Sequence, residues 1–253
     1  MLLAIDAGNT NVVFALLDRG GDIIQQWRLE TEKSKNFNEL KDFLESKIKN
    51  YRITSALLSS VVPGVNDPIE RFCREVAGCP FTRVTAEMTG LRITLDRPEQ
   101  IGADRLVNAV AVLRDYSAPA IVVDFGTATT IDVIGPDGAY CGGAIAPGVN
   151  LSLKALQDAA ALLPDITFEK PEQPLGTDTV SAMKSGLYWG YVGLVEKLVE
   201  KMSGGTKPFV IATGGLSNVF ADDIECIDTI DKDLTLRGLW HIYKAQLNQQ
   251  DAA

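Results

Sequence analysis

The sequence predicts an α/β protein of two duplicated half-domains, each a mixed five-stranded sheet flanked by helices, with a cleft between the halves. The first observation is a repeat: an apolar strand ending in aspartate and followed by a glycine turn occurs at Ile5–Thr10 and again at Val123–Ala128. The second is the alternation of strand-like runs with helical patterns, which is typical of α/β proteins. A length of 253 residues accommodates two such halves.

The first half contains the elements expected of one mixed sheet with its helices. Apolar or alternating runs bounded by turn residues predict strands at residues 2–5, 12–17, 23–29, 56–62 and 82–84. Apolar spacing of three and four residues predicts helices at 38–50, from Pro68 to about 76, and at 102–116. The boundary between the halves is expected near residues 116–119, which gives domains at 1–117 and 118–253.

The second half repeats the strand–turn–strand start. Strands are predicted at residues 120–123, 131–134 and 208–213, and a closing helix at 234–247. A long helix is expected from Thr179 as N-cap to about Met202. Its predicted apolar face consists of Val180, Met183, Leu187, Tyr191, Leu194, Leu198 and Met202.

Three glycines, Gly186, Gly190 and Gly193, interrupt this long helix. Each costs about 1 kcal/mol relative to alanine in a helix. Such a cost is understandable where another helix or subunit comes close, and simple tolerance is the alternative.

Charge and composition exclude several classes of partner. The formal net charge is −9, and no basic run exceeds two residues, so neither nucleic acid nor an anionic membrane is an expected partner. No apolar run approaches the ~18 residues that a membrane span needs. The four cysteines are scattered, which predicts reduced buried thiols and a cytoplasmic location.

The chemistry is expected in the two aspartate–glycine turns. Asp6 at a strand end is suited to holding hydrated Mg²⁺, because that ion keeps several waters and takes one or two carboxylates. Gly8 allows a phosphate to approach the backbone, and the polar residues after it add donors. The turn at Asp124 offers the same set. Either turn alone is better explained as an ordinary Asx-turn, whereas the pair favours phosphate binding from both sides of a cleft. Other nucleotide-binding fingerprints are absent from the sequence.

An ordered series of motifs resembles the type III pantothenate kinase family, in the actin-like (ribonuclease H-like) superfamily of sugar kinases and chaperone ATPases. The resemblance extends from Met1 to about Gly238. It is carried by residues 6–10, 59–63, 102–105, 124–129, 142–148 and 213–215.

The resemblance implies ATP-dependent phosphorylation of pantothenate, the first step of coenzyme A synthesis, by a homodimer that uses Mg²⁺ and a monovalent cation, K⁺ or NH₄⁺. The implied ATP-binding residues are Asp6, Ala7, Gly8, Asn9, Thr10, Asn11, Val12, Val13 and Thr127. The implied pantothenate-binding residues are Gly102, Ala103, Asp104, Arg105 and Thr179. Asp104 is the implied general base, and Asp124 the implied ligand of the monovalent cation. Leu95 stands where the family usually has tyrosine, which removes one polar contact from the expected substrate pocket.

Asp104 also suits this task on its own chemistry. The predicted helix places Asp104 and Arg105 in its first turn, where the helix dipole favours anions. An aspartate suffices to accept the proton of an attacking hydroxyl, and Arg105 could receive a substrate carboxylate. Without the resemblance, a helix-start aspartate and a solvated arginine would be the better explanation of the pair. Two rival functions remain open: a catalytically silent regulator, and a sugar kinase, acetate kinase or phosphatase of the same superfamily.

Overall fold

The structure is a computed structural model that describes residues 1–160 and 162–250. The chain divides into two compact units, and residues 1–116 form most of the first. Its elements in order are β1 (Leu2–Ala7), β2 (Asn11–Leu17), β3 (Ile23–Glu30), α1 (Thr31–Ser34), α2 (Phe37–Ile48), β4 (Ser55–Ser60), α3 (Pro63–Glu75), β5 (Phe81–Arg83), α4 (Ala86–Thr89) and α5 (Ala103–Asp115). A short 3₁₀ helix at Pro98–Gln100 precedes α5.

The second unit, Ser117–Lys232, contains a second sheet and two helices. Its elements are β6 (Ala120–Phe125), β7 (Ala128–Ile134), β8 (Tyr140–Pro147), α6 (Val149–Ala159), α7 (Thr179–Met202), β9 (Phe209–Thr213) and β10 (Thr229–Ile230), with a short 3₁₀ helix at Ser217–Val219.

The two sheets have the same topology. In the first, the strand order is β3-β2-β1-β4-β5, and in the second it is β8-β7-β6-β9-β10. In both, the first three strands form an antiparallel meander, and the fourth strand pairs parallel to the first. The prediction of two duplicated α/β halves with mixed five-stranded sheets is confirmed.

Both faces of the first sheet are covered, which explains the continuous apolar runs in its central strands. On one face, Ile5 and Leu58 pack with residues of α2 and α3 such as Leu44 and Phe72. On the other face, side chains of the same strands and of two later helices form a second apolar cluster. It includes Leu2, Ala4, Leu57, Val107, Val110, Leu236 and Leu239. The central strands are therefore covered on both faces, and only their carboxyl ends face solvent.

The last helix, α8 (Leu234–Gln250), belongs to the first unit. This corrects the predicted domain boundaries, which assigned all residues after 117 to the second half. The physical reason is packing: Leu236, Leu239 and Ile242 complete the cluster on the α5 side of the first sheet. Thr235 Oγ1 also donates a hydrogen bond of 2.8 Å to Oδ1 of Asn108 in α5. The lone histidine, His241, also connects α8 to α5, because its Nε2 lies 2.7 Å from Asp115 Oδ1.

The predicted apolar face of α7 is only partly correct. Its buried residues are Met183, Ser185, Tyr188, Tyr191, Val192, Val195 and Val199. Leu187, Leu194 and Leu198 lie at the border of that face and are half-buried. The helix is therefore rotated relative to the prediction, because stacked aromatic rings at Tyr188 and Phe220 determine which side faces the sheet.

Gly186, Gly190 and Gly193 lie on the exposed side of α7. A methyl group at any of these glycines would meet no atom within 4 Å. The described part of this chain therefore supplies no close backbone there, and close packing by another helix of the same chain is ruled out as their explanation.

Helix α3 begins at Pro63, five positions before the predicted start at Pro68. Proline is favoured at the first helical position, since its fixed φ fits the helix and its missing N–H has no helical acceptor there. Pro68 lies inside the helix, where it lacks the N–H that would donate to Gly64. Among the described residues, no helix is both long enough and apolar enough to cross a membrane.

Candidate active site

The first predicted phosphate loop is the aspartate–glycine turn at residues 6–10, and it begins where β1 leaves the core. Asp6 is half-buried near the end of β1, and Asn9 and Thr10 are exposed in the turn that leads to β2. The turn is closed by a hydrogen bond of 3.0 Å from Gly8 N to Asn11 O. The buried strand thus holds the aspartate rigidly, while the residues after it present polar groups to solvent.

Ser59 lies beside Asp6 on the neighbouring parallel strand. The two residues are in register between β1 and β4, so their side chains project from the same face of the sheet. Ser59 is fully buried, and its hydroxyl has no hydrogen-bond partner among the described residues. A buried hydroxyl left without a partner costs about 1–3 kcal/mol, so such groups are usually satisfied by water or a ligand.

A hydrated Mg²⁺ fits this pair of side chains. One carboxylate can hold the ion, and its water shell supplies the hydrogen-bond partners that the Ser59 hydroxyl requires. No group of three or more His, Cys, Asp or Glu side chains that could hold a metal is present in the described ranges. The single carboxylate of Asp6 suits a hydrated ion that keeps several waters and contacts substrate phosphates.

The predicted substrate segment lies at the same end of the sheet. Val61, directly after β4, donates from its N–H to Ala7 O at 3.1 Å. Gly102 is the N-cap of α5, and a methyl group built on it would lie 3.3 Å from Val61 Cγ1. The start of α5 therefore reaches the carboxyl ends of β1 and β4, where the first phosphate loop begins. The structure brings together two segments that are far apart in the sequence.

Asp104 occupies the first turn of α5, as predicted. Its Oδ1 accepts a hydrogen bond of 2.8 Å from Arg105 N. The same oxygen lies over Gly102, because a methyl group there would come within 2.5 Å of it. Gly102 thus has an ordinary backbone conformation, with φ −64° and ψ 141°, but no room for a side chain while Asp104 keeps its position.

The second loop is built in the same manner in the second unit. Asp124 is half-buried near the end of β6, and Thr127 is exposed in the turn. Gly126 N donates to Ala128 O at 3.1 Å, so this turn is one residue shorter between its strands than the first. Asp124 is in register with Thr213 of β9, the counterpart of Asp6 and Ser59.

Gly214 explains the Thr213–Gly214–Gly215 motif. Its φ of +87° is one that side-chain-bearing residues rarely adopt, and a methyl group on it would lie 2.4 Å from Asp124 Oδ1. The glycine therefore lets the backbone after β9 pack directly against the Asp124 carboxylate and the Phe125 backbone. The carboxylate of Asp124 is a hard oxygen donor of the kind that a cation such as K⁺ accepts.

Thr179 is the first residue of α7 and is exposed in the second unit. The predicted N-cap role belongs instead to Asp178, whose Oδ1 accepts from Ser181 N at 3.0 Å while Ser181 Oγ accepts from Asp178 N at 3.1 Å. The hydrogen bond from Ser181 N, and secondly one from the Ser181 hydroxyl, hold the pKa of the Asp178 carboxyl below its usual value. The helix start is therefore fixed without any contribution from the Thr179 hydroxyl.

A groove of about 320 Å³ lies beside this helix start, with Lys170 and Lys184 in its lining. Lys170 pairs with Asp223, and Lys184 pairs with Glu169. Because carboxylates already neutralise both lysines, the groove is poorly suited to phosphate. The residues that line it belong to neither glycine loop.

The sequence did not reveal the roles of Ser59 and Gly214. Both belong to motifs that were noted, but the motif alone does not show which strand pairs with which. The repeat is the signal that would have found Ser59: in each half, a hydroxyl residue on the fourth strand lies in register with the aspartate of the first.

Comparison with known proteins agrees with this geometry. The family model for type III pantothenate kinase matches residues 2–201. A type III pantothenate kinase of Paramagnetospirillum magneticum is 48% identical over 254 residues, covering 96% of this chain and 97% of its own. One from Brevibacillus brevis is 41% identical, covering 96% and 98%.

Solved structures show the same fold at lower identity. A conserved putative Baf family transcriptional activator from Campylobacter jejuni has a TM-score of 0.65 and 22% identity, covering 97% of this chain and 99% of its own. A putative 2-dehydro-3-deoxygalactonokinase from Sinorhizobium meliloti has a TM-score of 0.61 and 13% identity, covering 97% and 96%. These likenesses show that the chain shares the fold of those structures, and they show nothing about activity. The relatives of higher identity and the matching family model show that this chain belongs to the type III pantothenate kinase family.

Proposed function

We propose that this chain transfers the γ-phosphoryl group of ATP to the primary hydroxyl of pantothenate, giving ADP and 4′-phosphopantothenate, the first step of coenzyme A synthesis. The observation that carries the proposal is the position of Asp104. Its carboxylate lies in the first turn of α5, and that turn adjoins the carboxyl ends of β1 and β4, where the first phosphate loop starts. Family membership supports the choice of substrate.

Asp104 accepts the proton of the substrate hydroxyl as its oxygen attacks the γ-phosphorus. The bond between that phosphorus and the bridging oxygen breaks, and ADP leaves. A loose transition state asks little of the base, so an ordinary aspartate in the correct position suffices. Arg105 receives the pantothenate carboxylate, with Gly102 and Ala103 lining the same segment and Thr179 contributing a further contact.

Residues 6–13 hold the ATP phosphates, and Thr127 of the second loop contacts the nucleotide. Asp6 and the Ser59 hydroxyl would hold the water shell of a hydrated Mg²⁺. When bound, that ion offsets charge on the β- and γ-phosphates. A cytoplasmic location belongs to the same proposal, since the described cysteines are free thiols.

Asp124 is the proposed ligand of K⁺ or NH₄⁺. The half-buried carboxylate of Asp124 near the end of β6, a hard oxygen donor, supports this assignment. Activity is then expected to depend on a cation of that size. Equal rates in sodium-only and potassium buffers would remove the assignment.

A homodimer is proposed, with the exposed glycine side of α7 in the interface. Gly186, Gly190 and Gly193 lie on the surface with open space in front of them, so a helix of a second copy could approach closely. Sedimentation that shows a monomer at micromolar concentration would contradict the proposal.

The central experiment is Asp104→Asn, which keeps the size of the side chain and removes the proton acceptor. The turnover number should fall roughly 10²- to 10⁴-fold, the usual contribution of a positioned base. Binding of ATP, measured by calorimetry, should barely change, since its phosphates contact other residues.

A matched control is Asp115→Asn at the opposite end of the same helix. Asp115 pairs with Arg237 and His241, so this variant should lose some stability and keep its turnover number. A rise in the Michaelis constant of Asp104→Asn with turnover intact would assign Asp104 to substrate binding alone. Normal kinetics would refute its role altogether. A coupled assay across alcohols, including sugars, separates pantothenate from the substrates of related kinases.

A further inference from the structure

Thr31 is far from the first phosphate loop in the sequence but is hydrogen-bonded to it. It is the first residue after β3 and is only 2% exposed. Its Oγ1 donates a hydrogen bond of 2.6 Å to Gly8 O, and its backbone N–H donates one of 3.0 Å to Thr10 O. A single buried residue therefore holds the loop at two carbonyl groups on either side of Asn9.

The second unit has a backbone anchor in the corresponding place. Gly148 is the first residue after β8, the third strand of that sheet. Its N–H donates a hydrogen bond of 3.0 Å to Thr127 O, as that of Thr31 does to Thr10 O. A methyl group on Gly148 would lie 2.2 Å from Thr127 O and 2.5 Å from Gly126 O. The second loop thus packs directly on the anchor backbone, whereas the first is held by a side chain as well.

We propose that Thr31 is a positioning residue for phosphoryl transfer, which fixes the first loop through the hydrogen bond from its hydroxyl to Gly8 O. This inference rests on the proposed function, because it assigns ATP phosphates to the loop. The side chain of Asn9, between the two anchored carbonyl groups, is exposed. The backbone donors of the loop present a preformed site when its carbonyl groups are held from below, and Thr31 holds two of them.

Three variants separate the hydroxyl from its surroundings. Thr31→Ala removes the hydroxyl and the methyl group, and Thr31→Ser removes the methyl group alone. Ser34→Ala is the matched control: Ser34 lies in the same short helix α1, is fully buried, and donates from its hydroxyl to Glu30 O at 3.1 Å, away from the loop. Ser34→Ala and Thr31→Ala thus each remove one buried hydroxyl that donates to a backbone carbonyl.

Two measurements are made on each full-length variant. Thr31→Ala should raise the Michaelis constant for ATP by about fivefold to tenfold, the effect of one ordinary hydrogen bond, and leave that for pantothenate nearly unchanged. Amide hydrogen exchange without ligands should become faster at residues 8–13. Thr31→Ser should behave as the parent does. Ser34→Ala should lose stability, with no change in the Michaelis constant for ATP or in the amide exchange of the loop.

The outcomes distinguish this inference from the proposed function. Equal Michaelis constants for ATP in Thr31→Ala and Ser34→Ala would overturn the role of Thr31. Faster amide hydrogen exchange at residues 8–13 without any change in the Michaelis constant for ATP would also overturn the role of Thr31. If Thr31→Ala does not fold, Thr31→Ser decides the matter, because loss of ATP affinity with the hydroxyl retained contradicts the inference. A parent protein that does not turn over ATP with pantothenate refutes the proposed function, while the exchange experiment still tests the anchor.

Discussion

Gly102→Ala should impair catalysis while leaving the fold intact. The backbone of Gly102 has φ −64° and ψ 141°, which alanine adopts freely. Replacing glycine at such a position stabilises the folded state by about 0.4–1 kcal/mol through the unfolded chain. The new methyl group would meet Val61 Cγ1 at 3.3 Å, a slightly tight contact that offsets part of this gain. The net change in the free energy of unfolding should stay within about 1 kcal/mol.

The effect on turnover should be far larger. The methyl group would lie 2.5 Å from Asp104 Oδ1, so the carboxylate must move by about 1 Å to reach van der Waals distance. A misplacement of ~1 Å at a reacting group can cost about 10²-fold in rate, which is the expected fall in the turnover number. A coupled assay of ADP release measures it, and urea unfolding followed by circular dichroism checks stability.

A double variant identifies the cause of that fall. In an Asp104→Asn background, Gly102→Ala should reduce turnover only slightly further, since the base that it displaces is already absent. Fully additive losses would mean that Gly102 acts through another group, such as the substrate-binding backbone. Normal turnover in Gly102→Ala would refute the geometric argument.

Two further predictions concern the second unit. Gly148→Ala should weaken binding of a non-hydrolysable ATP analogue at least tenfold and cost about 1–3 kcal/mol of stability, because its methyl group would meet Thr127 O at 2.2 Å and the backbone must shift; parent-like affinity in calorimetry would contradict this. The pair with Lys170, and secondly the hydrogen bond from Tyr188, hold the pKa of Asp223 below its usual value. A carboxyl group whose pKa is lower in the folded state stabilises the protein above its unfolded pKa of about 3.9. That stabilisation is lost as the pH falls through the folded pKa. Asp223→Asn should therefore lower the urea midpoint at pH 7, and its difference from the parent should shrink as the pH falls below about 4. A difference that stays constant from pH 7 to pH 3 would show that charge is not involved.

The strands and loops of the candidate site were largely predictable, because their determinants are local. An apolar run ending in Asp6 or Asp124, followed by glycine, specifies a buried strand and a tight turn without reference to the rest of the chain. Asp104 was placed correctly in the first turn of α5 for the same reason, since the spacing of the apolar residues after it determines where the helix begins.

Predictions that depended on long-range packing were less accurate. The buried side of α7 was misplaced because apolar residues occur nearly all round that helix, and the stacking of Tyr188 on Phe220 decides which of them face the sheet. The closing helix α8 was assigned to the wrong half because its sequence gives its length and apolar side but not the surface that it covers.

The sequence by itself determined the duplicated α/β architecture, the two aspartate–glycine loops and the family. These follow from patterns of neighbouring residues, which the chain expresses wherever it folds. The tertiary structure alone decided the relations between distant residues: Ser59 beside Asp6, the start of α5 beside Val61, Thr31 beneath Gly8, and Gly214 in front of Asp124. Such relations depend on which strands pair and in which register, and on close approaches that only glycine permits. A linear pattern does not contain that information, because pairing is chosen by the burial of the whole sheet.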